Sequence, residues 1–135
     1  MIATTLEQSR KLVELGISAD TADMHYAFSA IGGAAFQDMI DASATLLPEN
    51  YNRKYSYEPA WSLNALLDLI PKRINDYQFC IKWDGDVEMI YYVNKERKLL
   101  YFENTRSTHH YSPDAKNLLD ATFEMVCWLK ENKYI

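Results

Sequence analysis

The chain has 135 residues, 48% of them hydrophobic and 24% charged, with a formal net charge of −5. This size and balance imply one globular domain over residues 1–135, long enough to bury a core without disulfide or metal staples. The acidity argues against a broad phosphate-binding surface, so nucleic acid is a disfavoured partner, and only Arg53, Lys54, Lys72 and Arg73 could form a local basic patch.

Thr4-Thr-Leu-Glu7 reads as a capping box, in which Thr4 accepts from the Glu7 amide and Glu7 reaches back. A first helix is predicted over Leu6–Leu15, ended by Gly16 in a left-handed cap. Ser18–Met24 is a turn with room for one helical turn, and Met24–Phe28 is short and aromatic, a candidate strand. After the Gly32-Gly33 break, Phe36, Met39, Ile40, Leu46 and Leu47 recur at helical spacing, which predicts a helix over Ala34–Leu47, with an ordered loop as the alternative.

Pro48–Pro59 reads as a polar, tyrosine-rich connector. The second helix follows, with Leu63, Leu66, Leu67 and Ile70 on one face and Pro71 as its stop. Its cap is Ser62, or the helix begins earlier with Pro59 in its first turn.

Three strands come next: Tyr77–Trp83, Val87–Val93 and Leu99–Glu103, joined at Asp84-Gly85-Asp86 and Asn94–Arg97. Such short joints imply an antiparallel meander. Ile90, Tyr92, Leu100 and Phe102 make the second face apolar too, so part of it should be covered. Arg106–Tyr111 is a loop, and Ser112-Pro113 marks the start of a C-terminal helix. Leu118, Thr122, Met125 and Leu129 form its stripe, widened by Leu119, Val126 and Trp128 to the breadth of a sheet face. The expected architecture is α+β: helices packed on a three-stranded antiparallel meander, with Met24–Phe28 as the candidate fourth strand and the amphipathic C-terminal helix closing the core. Leu66, Leu67, Phe79, Ile81, Met125 and Leu129 are the expected shared core.

Motifs for chemistry are sparse. Cys80 and Cys127 form no metal-binding or redox spacing and are expected as thiols. His109-His110 has no third ligand at suitable spacing, and His25 is isolated. Asp38 with Asp41 suits the polar face of a helix, and Asp84 with Asp86 suits a turn. Gly32-Gly33 lacks a phosphate-loop lysine. No catalytic residue, metal ligand or cofactor is assigned. No apolar run approaches a membrane span, and the first residues lack the basic start and apolar core of a signal peptide, so a cytoplasmic protein off the membrane is expected.

Tyrosine is the compositional excess, at ten residues. Tyr51, Tyr55 and Tyr57 are interleaved with Asn52, Arg53 and Lys54. Tyrosine offers large contact area with few rotors and a polar tip. Tyr51, Arg53, Tyr55, Tyr57 and Trp61 are therefore the candidate partner surface, the alternative being that the rings anchor the connector to the domain.

Three segments carry a resemblance: Thr21-Ala-Asp-Met24, Pro59-Ala-Trp-Ser-Leu-Asn-Ala-Leu-Leu-Asp-Leu-Ile-Pro71, and Leu118 through Ile135. In this pattern the chain resembles a group of small uncharacterised proteins of Bacteroidetes gut bacteria, often borne on prophages and other mobile elements. Ala27–Glu58 does not share in it. The resemblance implies no activity, cofactor or catalytic residue. The resulting expectation is a non-enzymatic, protein-binding accessory factor. A small enzyme with a pocket lined by tyrosine and histidine is the alternative.

Overall fold

A computed structural model of the chain describes residues 3–29, 36–41, 55–84, 87–105 and 116–135. Its elements are helices and antiparallel sheets, an α+β fold. The chain divides into two compact units, Met1–Ala65 and Leu66–Ile135.

The first unit begins with helix α1, Leu6–Glu14. Its cap lies one residue later than the sequence suggests. Thr5, not Thr4, accepts from the Gln8 amide, and Gln8 returns the bond. Thr-x-x-Gln satisfies a capping box as well as Thr-x-x-Glu, and the Thr4 hydroxyl is needed elsewhere. Gly16 holds φ 95°, which a residue with a Cβ resists. A 3-10 turn, Ala19–Thr21, leads into β1, Met24–Ser29.

β1 is the middle strand of a three-stranded sheet, between β2, Phe36–Asp41, and β3, Tyr55–Ala60. Two expectations are corrected here. Phe36–Asp41 is a strand rather than part of a helix, and Tyr55–Pro59 is strand rather than connector. A short apolar run fits either period, and β1 offers it a ladder while no cap favours a helix. For β3, the Tyr-Ser-Tyr alternation suits a sheet, and Pro59 is tolerated because β3 is an edge strand. Pro59 therefore starts no helix. The rest of Ala34–Leu47, and Pro48–Lys54, lie outside the described residues. Ala3, Tyr26 and Ala60 are buried together, with Leu6 and Met24 against them.

Helix α2, Leu63–Leu69, carries the chain into the second unit. Ser62 Oγ accepts from the Ala65 amide at 3.2 Å, as an N-cap should. The second unit holds a four-stranded antiparallel sheet in the order β4 (Arg73–Ile74), β5 (Tyr77–Asp84), β6 (Val87–Val93), β7 (Leu99–Asn104). The meander of β5, β6 and β7 is the expected one. Its fourth strand is β4, not Met24–Phe28, which pairs in the other sheet. The missed signal is Ile74-Asn-Asp-Tyr77, a two-residue turn whose Asn75 takes φ 53°, a conformation asparagine tolerates.

Helix α3, Leu118–Glu131, packs on β7 and β6. Asn117 accepts from the Asp120 amide, and Asp120 bonds back to the Asn117 amide. That box caps α3 at Asn117, while the Ser112-Pro113 entry signal lies outside the described residues. Burial runs round the helix: Phe123 and Cys127 are buried as well as Leu119, Met125, Val126 and Leu129. Of the expected core residues, Leu66, Met125 and Leu129 are each fully buried, while Leu67 and Phe79 are half-buried. Ile81 is a correction, at 51% exposed. The face that carries Ile81 is covered by α3 over β6 and β7, not at the far end of β5.

Candidate functional site

Of the expected tyrosine surface, the side chains described are those of Tyr57 and Trp61. Tyr51 and Arg53, like Lys54 and the pair His109-His110, lie outside the described residues. Tyr55 enters the sheet opposite Ser29. Tyr57 is half-buried, its ring edge-on to His25 with centroids 6.2 Å apart. Nδ1 of His25 is buried without a hydrogen-bond partner among the described residues. Trp61 is the plain correction. It is fully buried and can offer no area to a partner.

Trp61 is buried because it closes a polar network. Thr4 donates its amide to the Trp61 carbonyl at 2.8 Å, and the Trp61 amide donates to Thr4 Oγ1 at 3.1 Å. The same hydroxyl bonds Ser9 Oγ, and the Tyr26 hydroxyl donates to the Thr4 carbonyl at 2.8 Å. Burial pushes the Tyr26 hydroxyl above the usual tyrosine range. The Trp61 indole N–H donates to Thr21 Oγ1 at 2.9 Å. Beside it, Asp23 accepts from both the amide and the hydroxyl of Ser62. Each donor has an acceptor, so the cluster is a lock rather than a reactive centre.

A second polar cluster closes in the same way. The Tyr101 hydroxyl and the Lys116 ammonium both donate to Glu103. The Tyr101 ring stacks on Trp128 at 4.2 Å and 9°, and Tyr134 leans on Trp128 at 5.3 Å. Burial, then the bond and charge of Glu103, hold the Tyr101 hydroxyl far above its usual range. An open cleft of about 410 Å³ lies among the hairpin turns, lined by Arg73, Asp76, Gln78, Asn94 and Lys95. Its charges mix in sign, which favours no one ligand. Lys72 and Arg73 are exposed, and Arg53 and Lys54 of the expected basic patch lie outside the described residues. Among the described residues no group of three or more His, Cys, Asp or Glu is placed to hold a metal ion. Cys80 and Cys127 form no disulfide. No helix of the described residues is long and apolar enough to cross a membrane.

The exposed chemistry lies on β5. β4 stops pairing at Gln78, and beyond it the Phe79 amide still donates to the Lys72 carbonyl at 2.9 Å. Backbone groups of alternate strand residues turn to the same side. Ile81 and Trp83 therefore direct their N–H and C=O groups to that outer edge, where no described strand meets them. Their side chains lie on the face that α3 covers over β6 and β7, at the end of β5 that it leaves open. Trp83 is 70% exposed and Ile81 51%. Lys82, between them on the opposite face, is exposed and forms no ion pair with a described residue. Sequence reasoning placed Ile81 in the core because strict alternation tells which side chains share a face, not how far a helix reaches across it.

No family model, curated protein or solved structure matches the chain.

Proposed function

We propose that the chain is a non-enzymatic accessory factor that binds another protein through the outer part of β5. The observation that carries this reading is Trp83 at 70% exposure beside Ile81 at 51%, on a strand whose next neighbour ends early. A large aromatic residue left in water on a strand edge costs solubility and invites pairing. Tryptophan is also among the residues that dominate contact energies. The resemblance to prophage-borne proteins supports placing this factor with the products of mobile elements. The partner surface moves accordingly from the tyrosine segment to the meander, with Tyr57 held by its own fold.

The test is affinity capture from a Bacteroidetes host with the parent chain, an Ile81→Ser/Trp83→Ser variant, and a Tyr51→Ser/Tyr55→Ser/Tyr57→Ser variant. The β5 variant should keep its melting temperature and lose the captured protein. Capture that survives the β5 changes and fails with the tyrosine changes would return the surface to the tyrosine segment. A parent chain that captures nothing above background would sink the reading.

A further inference from the structure

We propose that the Ile81–Trp83 edge accepts an extended strand of the partner in which an acidic residue lies between two apolar ones. This rests on the protein-binding reading above and names the partner's chemistry. The edge offers two outward-facing backbone pairs, at Ile81 and Trp83, and between them one charge, Lys82. An added antiparallel strand that bonds to both residues places its own middle residue opposite Lys82. That position is a non-hydrogen-bonded pair, where facing side chains come closest. A carboxylate there meets the lysine, and its apolar neighbours lie against Ile81 and Trp83 on the other face.

A second copy of this chain fits less well. The self-pairing that uses all four outward groups sets Ile81 against Trp83 and puts Lys82 opposite Lys82, a like-charge contact that opposes the ladder. Shifting by two residues in one direction sets Trp83 against Phe79, whose amide is already given to Lys72. Lys82 thus acts as a guard against self-association, as charges on edge strands commonly do, while it selects an oppositely charged guest.

The experiment uses the full chain and two blocked probe peptides, Thr-Val-Glu-Val-Thr and Thr-Val-Lys-Val-Thr, followed by amide NMR and hydrogen exchange. The acidic probe should shift and protect the amides of Ile81 and Trp83. It should bind about threefold or more tightly than the basic probe, the ratio set by one exposed charge pair. Lys82→Glu should invert the order of the probes, and the exposure of that side chain keeps the variant folded. Equal binding of both probes, an unchanged order in Lys82→Glu, or shifts confined to other residues would overturn the proposal. So would protection of both amides in the free chain together with sedimentation as a dimer. If Ile81→Ser/Trp83→Ser abolishes capture of a host protein while these amides stay unprotected, protein binding stands and strand addition falls.

Discussion

The Asp23 carboxylate accepts from the backbone amide of Ser62 at 2.8 Å and from its hydroxyl, while the same hydroxyl caps α2 through the Ala65 amide. Two residues before Asp23 and one before Ser62 the pattern repeats in kind, since Thr21 accepts the indole N–H of Trp61. Thr21-Ala-Asp and Trp61-Ser are thus two halves of one fastening. Their work is structural. Asp23→Ala should cost about 1–3 kcal/mol, because it strands a half-buried amide and removes a charge-assisted bond. Ser62→Ala should cost about 1 kcal/mol as a lost cap. Urea melts of both single variants and the double variant check this. Strictly additive losses would show that the two residues do not act as a unit.

Trp61 allows a sharper test. It is fully buried, and its amide, carbonyl and indole N–H all have partners. Trp61→Ala should cost about 3–5 kcal/mol. Trp61→Phe should recover part of the packing but not the bond to Thr21. A melt in which Trp61→Ala matches the parent would leave the network without its centre.

Leu66 and Ile81 separate core from surface. Both were expected in one core, and Leu66 is fully buried where Ile81 is 51% exposed. Leu66→Ala should cost about 2–5 kcal/mol. Ile81→Ser should stay within about 0.5 kcal/mol, as exposed substitutions do. Equal losses in denaturant melts would place Ile81 back in the core.

Where local chemistry decides structure, the residues alone were a good guide. Pro71 stops α2, and Asn94 builds its turn by accepting the Glu96 and Lys98 amides. The three meander strands lie where alternation puts them. Where partners decide, the guide failed. Phe36–Asp41 is strand because β1 is beside it. Tyr55–Ala60 follows the same rule. The choice between Thr4 and Thr5 as cap depended on Ser9 and Trp61 claiming the Thr4 hydroxyl. The β5 edge was illegible for a related reason. An exposed tryptophan and a buried one look alike in a pattern: Trp61, expected on a partner surface, is fully buried, while Trp83 is 70% exposed.

Alkali should expose the tyrosine network. Tyr92 is fully buried, its hydroxyl donates to the Pro71 carbonyl, and burial pushes its pKa to about 12. Tyr101 is held higher still, by burial and then by Glu103. A tyrosine raised in the folded state from its ordinary value of 10.0 keeps its proton there after the unfolded chain has lost it. The unfolded state then binds fewer protons, so stability falls as pH rises. The contribution is fully present below pH 10.0 and is lost progressively as pH climbs toward about 12. Denaturant melts at several alkaline pH values should show this decline, and Tyr92→Phe should flatten part of it at the cost of the bond to Pro71. Absorbance at an ultraviolet wavelength specific to tyrosinate should rise in two stages, the exposed rings first and these two only as the fold opens. A single early stage covering all ten tyrosines would show that neither hydroxyl is shielded.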